Sequence, residues 1–555
     1  MGRLVGLLPL CLLPAGVLHA QPEPPSVELK GKLPDGGTAR IRLQFKKGVQ
    51  VESAPLPRRF RAGSSVGWIA FEDLSAEGKR WALDVLYPED RWTRGEVLHK
   101  VRWPEQESVW LMAALFTGHG QNYDRLQAAN PGNLEKLRKG DLWKIPVSLL
   151  SKELGGTGAV LPARSQPEDD LDDEARTAAF RAMLKYEEDR DGRYAVYRLR
   201  KGEALYSSVV MRFTERVSPK EVNELALDLA RRSGIQDIRA IPPGQIVKIP
   251  LDVLAGPFQP EGTKALAEDR EMREEVRRTP RIDAGPRLKG VRIILDPGHG
   301  GVDKGASGLG VWESDHVYDI AMRVLRILQQ DTDAQVTSTL KYPRLGLKPR
   351  DRITAPAAAA EVLTTPPFAS DGESPTSVSV NLRWVLANDQ VKAFARKGDP
   401  QKTLFLSFHA DSLHPSSRGA MVYVPGAPFV PASFTLGARR GAAVAEMKRS
   451  AQVVLSPRAR LQGEARSRQF SEVLLRIFQR EKIPVHANRP IRNVIHRDGR
   501  TFVPAVIRHS AAATKVLLEV LNLQNEDDAE NLRDPAFRER YAEAVVKGIQ
   551  AFYRK

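Results

Sequence analysis

The sequence predicts an α/β protein whose C-terminal domain contains a largely parallel, twisted sheet flanked by helices. From residue 288 onward, apolar strands such as "GVRIILD", "TLFLSF" and "KVLLEVL" alternate with helical stretches such as "HVYDIAMRVLRILQQ". Strands that are apolar without alternation are typical of a sheet covered on both faces. Short alternating runs such as "ARIRLQF", punctuated by Gly and Pro, predict a β-rich domain at the N-terminus.

The N-terminus indicates a secretory signal peptide at residues 1–20, cleaved after Ala20, with an uncleaved anchor as the alternative. An apolar run from Leu4 to about Leu18 follows a single basic residue, and it is short for a bilayer span of about 20 residues. Cys11, the only cysteine, lies inside this segment, so the exported chain has no thiol and any metal must be held by His, Asp or Glu. We therefore expect a protein of the periplasm, cell wall or extracellular space, without an integral membrane span after signal removal.

The net charge of +16 favours a polyanionic neighbour. Nucleic acid is a poor candidate because the chain has an export signal and no recognition motif. An acidic cell-wall polymer remains compatible with the charge.

A repeat lies between the β-rich domain and the α/β domain. The frame Gly-x-x-x-Lys-Ile-Pro begins at Gly140 and again at Gly244, each time after two helical stretches, which predicts strand-helix-helix-strand units. The phrases "LQAANPGNLEKLRKGDLWKIP" and "YAVYRLRKGEALYSSVVMRF" resemble LysM modules. The resemblance implies small βααβ modules that bind N-acetylglucosamine-containing glycans. The alternative is a pair of packing modules without glycan affinity.

Polar residues end three of the predicted strands. His299 follows "GVRIILDPG", His409 follows "TLFLSF", and Glu519 lies in or just after "TKVLLEVL", while Glu313 stands at the mouth of the helix after His299. Parallel strands place their carboxyl ends at one edge of the sheet, where ligands bind. The stretch around His299 lacks the phosphate-loop pattern. Convergence would give His-Glu-His and one free carboxylate, which suits a catalytic zinc site with a general base.

Residues 289 to 555 resemble the zinc-dependent N-acetylmuramoyl-L-alanine amidases, the cell-wall amidases active in cell division. The matching motifs are "DPGHGGVDKGASGLGVWE", "RWVLAN", "LFLSFHAD", "RGAMVYV" and "VLLEVLNLQN". The resemblance implies that His299, Glu313 and His409 bind one Zn²⁺ and that Glu519 is the catalytic glutamate. Where the family usually has Gly-Phe and Ser-Asn after this glutamate, the chain has "VLNLQN" and keeps only Asn525.

The resemblance further implies a peptidoglycan hydrolase that cleaves the amide between N-acetylmuramic acid and L-alanine with a zinc-bound water as nucleophile. Two alternatives stay open: a cell-wall glycan-binding protein with a degenerate amidase domain, and a zinc peptidase acting on stem peptides. Asp296 and Asp411 are interpreted as residues that orient the ligands. Some relatives carry a helix that blocks the zinc cleft until an activator protein displaces it, and we hypothesise that residues 433–455 do the same.

The predicted domain order combines these interpretations. The boundaries are a signal peptide at 1–20, a β-rich domain at 26–100, LysM-like modules at 101–150 and 193–254, linkers at 151–192 and 255–288, and a zinc amidase domain at 289–555. The Ala-, Pro-, Ser- and Thr-rich stretch at 355–377 is interpreted as a surface insertion.

Overall fold

The computed structural model describes most of the chain after the predicted signal peptide, which lies outside the described residues. The described ranges are 26–44, 48–61, 67–118, 122–130, 137–156, 173–200, 203–236, 238, 241–370, 376–437 and 442–554. The chain divides into two compact units, residues 1–162 and 163–555. Of the helices in these ranges, none combines the length and the hydropathy that a bilayer span requires.

The first unit contains two small antiparallel sheets. One has the order β1-β2-β3-β4 and the other the order β5-β6-β7. Alternation along β2 buries Ala39, Ile41 and Leu43, as expected for a strand with one face on a core. The elements are β1 (Ser26–Lys32), β2 (Thr38–Gln44), β3 (Gly48–Glu52), β4 (Trp68–Ala70), α1 (Ala76–Leu86), β5 (Arg91–Trp92), β6 (Glu96–Lys100), α2 (Val109–Thr117), α3 (Tyr123–Ala128) and β7 (Leu142–Pro146). The predicted β-rich N-terminal region is confirmed.

The second repeat begins the second unit and forms a sheet of order β10-β9-β8. A π-helical turn at Leu205–Val210 leads into a short helix, so the strand-helix-helix-strand order appears here as it does in β6-α2-α3-β7. The elements are α4 (Asp173–Ala182), β8 (Lys185–Asp189), β9 (Gly192–Arg198), α5 (Met211–Phe213), α6 (Pro219–Arg232) and β10 (Ile246–Pro250).

The C-terminal domain is built on a six-stranded sheet of order β14-β11-β18-β25-β19-β22. The first four strands are mutually parallel, while β19 runs antiparallel to β25. Every residue of β25 is buried, which explains its unalternating apolar sequence. The sheet strands are β11 (Arg292–Pro297), β14 (Gln335–Ser338), β18 (Thr403–Asp411), β19 (Met421–Tyr423), β22 (Ile491–Arg492) and β25 (Thr514–Asn522). The predicted α/β class is confirmed.

Helices and small ribbons cover both faces of this sheet. One face packs on α8, α11 and α14, and the other packs on α9 and α12. The helices are α7 (Lys264–Arg278), α8 (Glu313–Asp331), α9 (Thr376–Ala395), α10 (Ala445–Ser450), α11 (Pro457–Arg480), α12 (Ala505–Arg508), α13 (Glu526–Arg533) and α14 (Pro535–Phe552). The short strands are β12 (Ser307–Gly308), β13 (Val311–Trp312), β15 (Leu340–Lys341), β16 (Ala360–Val362), β17 (Phe368–Ser370), β20 (Ser433–Thr435), β21 (Gln452–Val454), β23 (Ile495–Arg497) and β24 (Arg500–Phe502).

The interpretation of residues 355–377 as a surface insertion is wrong for its described middle part. Strands β16 and β17 join β15 in a three-stranded sheet, and Ala360, Val362 and Ser370 are buried. A Cβ added at Gly301 would lie 2.0 Å from the Ser370 carbonyl oxygen. The segment that contains β16 and β17 therefore supports the turn that carries His299, a long-range contact that composition does not reveal.

The second repeat is joined to the C-terminal domain by side-chain packing. The Glu215 carboxylate forms an ion pair with Arg489, and Val217 belongs to the apolar cluster on one face of the six-stranded sheet. The His414 backbone N–H donates to the Val217 carbonyl at 3.2 Å, and the His414 ring stacks on Tyr206. This loop of the second repeat is thus an integral part of the C-terminal core.

The linker between them contains the helix α7, which packs on the C-terminal domain. Leu266 is buried, and the Gln469 side-chain amide on α11 donates to the carbonyls of Val276 and Thr279, each at 2.7 Å.

Candidate active site

The strand β11 ends in a turn that brings His299 to the sheet edge. The Gly298 N–H donates to the Phe408 carbonyl at 2.7 Å, and a Cβ at Gly298 would lie 2.5 Å from that oxygen and 2.7 Å from the His409 ring. Only glycine allows this approach. His299 itself has φ of 60°, an uncommon value for a residue with a side chain and typical of functional turns.

Three predicted residues converge at this edge. His299 Nε2 lies 3.1 Å from Glu313 Oε1, and His409 Nδ1 lies 3.0 Å from the same oxygen. One ligand atom from each residue fits within 4.8 Å of the others. The structure therefore contains the His-Glu-His cluster that the sequence predicts, assembled from β11, the start of α8 and the end of β18.

Backbone hydrogen bonds fix the Glu313 carboxylate. Its Oε2 accepts from the Ala306 N–H at 2.7 Å, and its Oε1 accepts from the Ala410 N–H at 3.1 Å. Burial alone would raise the pKa of Glu313, but hydrogen bonds with both histidines outweigh burial and hold it well below the usual range. Glu313 therefore stays ionised between the two rings.

Glu519 stands beside the cluster on the neighbouring strand. Its Cα pairs directly with that of His409 across the parallel β18–β25 ladder. The side chain is buried, and among the described residues its Oε2 has no hydrogen-bond partner. Burial, with the nearby charges of Asp411 and Glu313, raises the pKa of Glu519 well above its usual value. Burial and Glu313 likewise raise the pKa of Asp411 to about 7.

The donor set fits a zinc ion. A tetrahedral zinc site with bonds of about 2.0–2.1 Å places neighbouring ligand atoms about 3.3 Å apart. The two contacts to Glu313 Oε1, 3.0 and 3.1 Å, are near this spacing. Burial lowers the pKa of His409, which favours the neutral imidazole that metals bind. Burial also disfavours a charged His299, but Asp303 and Glu313 outweigh it and raise its pKa to about 9, an electrostatic setting that equally attracts a metal cation.

Asp296 acts differently from the interpretation made from sequence. It is fully buried and accepts hydrogen bonds from Arg383 Nε at 2.7 Å, Arg383 Nη2 at 2.6 Å, Thr339 at 2.5 Å and Ser407 at 2.7 Å. Neither of the histidine ligands is among these donors. Asp296 therefore joins β11, β18 and α9 beneath the cluster, and Arg383, present in the motif "RWVLAN", is the partner that sequence reasoning did not assign.

Asp303 is a second residue that sequence reasoning missed. Its Oδ1 lies 2.9 Å from His299 Nδ1, the ring nitrogen that faces away from Glu313. A carboxylate at this position fixes the tautomer and orientation of a ligating histidine. The available signal was its place four residues after His299 in the same glycine-rich turn.

Among the described residues, no other histidine joins the cluster. His316, His486 and His509 are buried elsewhere in the fold. The His316 ring bonds to the Trp312 carbonyl and the His486 ring to the Asn488 carbonyl. Burial lowers the pKa of all three, which are neutral packing residues.

The segment 433–455 is only partly described, because residues 438–441 lie outside the described ranges. Its described part contains the ribbon β20–β21 and the six-residue helix α10. These pack on α9: Phe434 contacts Trp384, and Arg449 forms an ion pair with Asp389 at 2.8 Å. The hypothesis that this segment blocks the cleft stays a prediction.

Comparison with known proteins identifies the C-terminal domain. Residues 293–551 match the family model for N-acetylmuramoyl-L-alanine amidase. An amidase catalytic domain of this family therefore occupies residues 293–551. The chain is 26% identical over 266 residues to an uncharacterized cell wall amidase of Bacillus anthracis. That match covers 48% of this chain and only 36% of the relative, so the chain spans about a third of the relative's length.

Solved structures of low identity also match. The N-acetylmuramyl-L-alanine amidase from Mycobacterium smegmatis is 18% identical, with 48% of this chain and 98% of that chain covered and a TM-score of 0.29. The CwlD amidase from Clostridioides difficile, solved in complex with the GerS lipoprotein, is 16% identical, with coverage of 47% and 98% and a TM-score of 0.30.

Proposed function

We propose that this protein is an exported peptidoglycan hydrolase that cleaves the amide between N-acetylmuramic acid and L-alanine. The observation that carries the proposal is the convergence of His299, Glu313 and His409, with Glu519 paired to His409 on the next strand. The family match over residues 293–551 supports both the bond and the substrate. The predicted signal peptide supports export to the periplasm or cell wall.

In this proposal His299, Glu313 and His409 hold the metal. When bound, Zn²⁺ supplies Lewis acidity, polarising the scissile carbonyl and lowering the pKa of a water molecule. Asp303 orients His299, and the backbone N–H groups of Ala306 and Ala410 keep the Glu313 carboxylate in place.

Glu519 is the group that accepts and donates protons in this proposal. Beside a bound divalent cation the Glu519 carboxylate would be ionised, because the cation would oppose the rise in pKa that burial causes. Its Oε2, which has no other described partner, accepts the proton of the attacking water. The same carboxyl then returns a proton to the departing L-alanine amine, as a general acid in the second half of the reaction.

The two repeats are proposed to be LysM-like modules that hold the glycan strand. Their support is the βααβ order and the shared Gly-x-x-x-Lys-Ile-Pro frame, which ends in β7 and β10. Peptidoglycan is then a ligand as well as the substrate.

The test is incubation of the protein with purified peptidoglycan, followed by an assay for newly exposed L-alanine amino groups. We expect the protein to release new L-alanine amino groups. A chelator should abolish this release, and Glu519→Ala should abolish it while zinc stays bound. The exposed Glu530 is a matched control, and Glu530→Ala should retain release. Zinc binding without release would favour the glycan-binding alternative, and other stem-peptide termini would favour a peptidase.

A further inference from the structure

A two-stranded hairpin stands over the same sheet face as Glu519. Strands β23 and β24 pair with Ile495 opposite Phe502, His496 opposite Thr501 and Arg497 opposite Arg500. The turn between them is Asp498-Gly499, both with positive φ, which is typical of a tight two-residue hairpin. The hairpin contains none of the predicted zinc ligands and does not contain the predicted catalytic glutamate.

The two faces of the hairpin have different partners. Directly opposed residues share a face, so Arg497 and Arg500 project on the same side as Ile495. Ile495 packs against the apolar cluster that contains Met421, and Met421 pairs with Glu519 across β19 and β25. The two arginines therefore face the side of the sheet on which Glu519 lies.

The opposite face anchors the hairpin. Thr501 Oγ1 lies 2.9 Å from His496 Nδ1, and His496 Nε2 lies 3.7 Å from the buried carboxylate of Glu215. Asp498 at the tip lies 3.5 Å from the Lys220 ammonium. The second repeat thus contacts the hairpin at both its base and its tip, and these contacts position the two arginines.

Neither arginine forms an ion pair with a carboxylate of the described residues. They are exposed, and neither has a hydrogen-bond or ion-pair partner within the part of the chain that the structure describes. Like charges directly opposite each other destabilise an antiparallel pair. The guanidinium of Arg497 also lies near enough to the Asp411 and Glu519 carboxyls to lower their pKa values, against the larger effect of burial.

We propose that Arg497 and Arg500 bind a free carboxylate of the stem peptide close to the scissile amide. Two guanidinium groups side by side suit a carboxylate, which accepts charge-assisted hydrogen bonds from both. An extended peptide advances about 3.3–3.6 Å per residue, so an acidic group one residue beyond L-alanine is near the metal cluster. This inference rests on the proposed function and specifies its substrate class: stem peptides whose second residue keeps a free carboxylate.

The test uses two synthetic muramyl dipeptides that differ only at the second residue, an acidic amino acid in one and its amide in the other. With the zinc-loaded protein we expect kcat/KM to be at least about tenfold higher for the acid, mainly through a lower KM, as charge-assisted hydrogen bonds imply. Arg497→Gln and Arg500→Gln should each reduce this preference, and the double variant should abolish it. Arg497→Lys should restore part of it.

Arg480→Gln is the matched control, because Arg480 is an exposed arginine at the end of α11. It should leave the preference intact. Equal kcat/KM values for the two substrates in the unmodified protein would overturn the proposal, as would a preference that survives in the double variant.

A binding measurement separates this proposal from the proposed function. Calorimetry with the Glu519→Ala protein and the free dipeptides should show tighter binding of the acid, lost in Arg497→Gln. If neither muramyl dipeptide is cleaved, the hydrolase proposal fails, and the calorimetric preference still decides the role of the arginines.

Discussion

Replacing Arg383 by methionine tests the buried ion pair beneath the His-Glu-His cluster. Arg383 and Asp296 are 2% and 0% exposed at their side chains, and the guanidinium supplies two of the four hydrogen bonds that the carboxylate accepts. Arg383→Met leaves a fully buried carboxylate with two hydroxyl donors. Breaking one side of a buried pair in this way costs about 3–5 kcal/mol of the free energy of unfolding.

Native-state hydrogen exchange is the suitable assay. The chain has several domains, so one global transition does not report on this site. Exchange of the β18 and β25 amides measures the free energy of opening the sheet. This free energy should fall by about 3–5 kcal/mol in Arg383→Met. The double variant Asp296→Asn with Arg383→Met removes both charges and should recover most of the loss.

The same substitution should affect the metal site. Asp296 precedes His299 by three residues, and Ser407, another of its donors, precedes His409 by two. Loosening this network should lower zinc affinity by about 10–100-fold, as loss of supporting contacts does elsewhere. A loss below about 1 kcal/mol in Arg383→Met, or a double variant no more stable than the single one, would refute the reasoning about the uncompensated charge.

Three further predictions concern other parts of the molecule. Burial lowers the pKa of Lys515 to about 8. Protonation of Lys515 therefore costs the folded state about 3 kcal/mol below pH 8, and this cost vanishes above the unfolded pKa of about 10.5. Lys515→Met should therefore stabilise the sheet against urea unfolding at pH 7 but not at pH 11. Burial alone would lower the pKa of His99, but hydrogen bonds with Asp90 and Glu107 outweigh burial and raise this pKa. The first unit should therefore lose stability as the pH rises through this raised pKa. Hydrogen exchange should measure this loss in the unmodified protein and show no such loss in His99→Phe. Replacing residues 433–455 by a short linker should raise amidase activity if they block the cleft, and an unchanged rate in a folded variant would reject that hypothesis.

The His-Glu-His cluster was predictable because its signals are local. Three strands that end in His299, His409 and Glu519 are recognisable from their apolar sequences, and parallel pairing brings such ends to one edge. The observed ladder pairs His409 with Glu519 directly. Glu313 could be placed because it begins the next helix.

The supporting contacts were not predictable from single segments. Arg383 lies 87 residues from Asp296 and on a helix, so no periodicity links them. The role of residues 360–370 was hidden by their Ala- and Pro-rich neighbours, which are typical of loops. Strands β19 and β22 extend the sheet with only a few residues each, too few for a clear pattern.

The loop of the second repeat bears on where the proposed hydrolase would cleave its polymeric substrate. Because Glu215 and Val217 are packed into the C-terminal domain, the separation between this repeat and the metal cluster is set by side-chain contacts and not by the reach of a linker. If the second repeat binds a glycan strand and Glu519 is the catalytic residue, as proposed, the strand reaches Glu519 at a constant distance from the repeat, and the spacing of cleavage sites reflects the geometry of the fold.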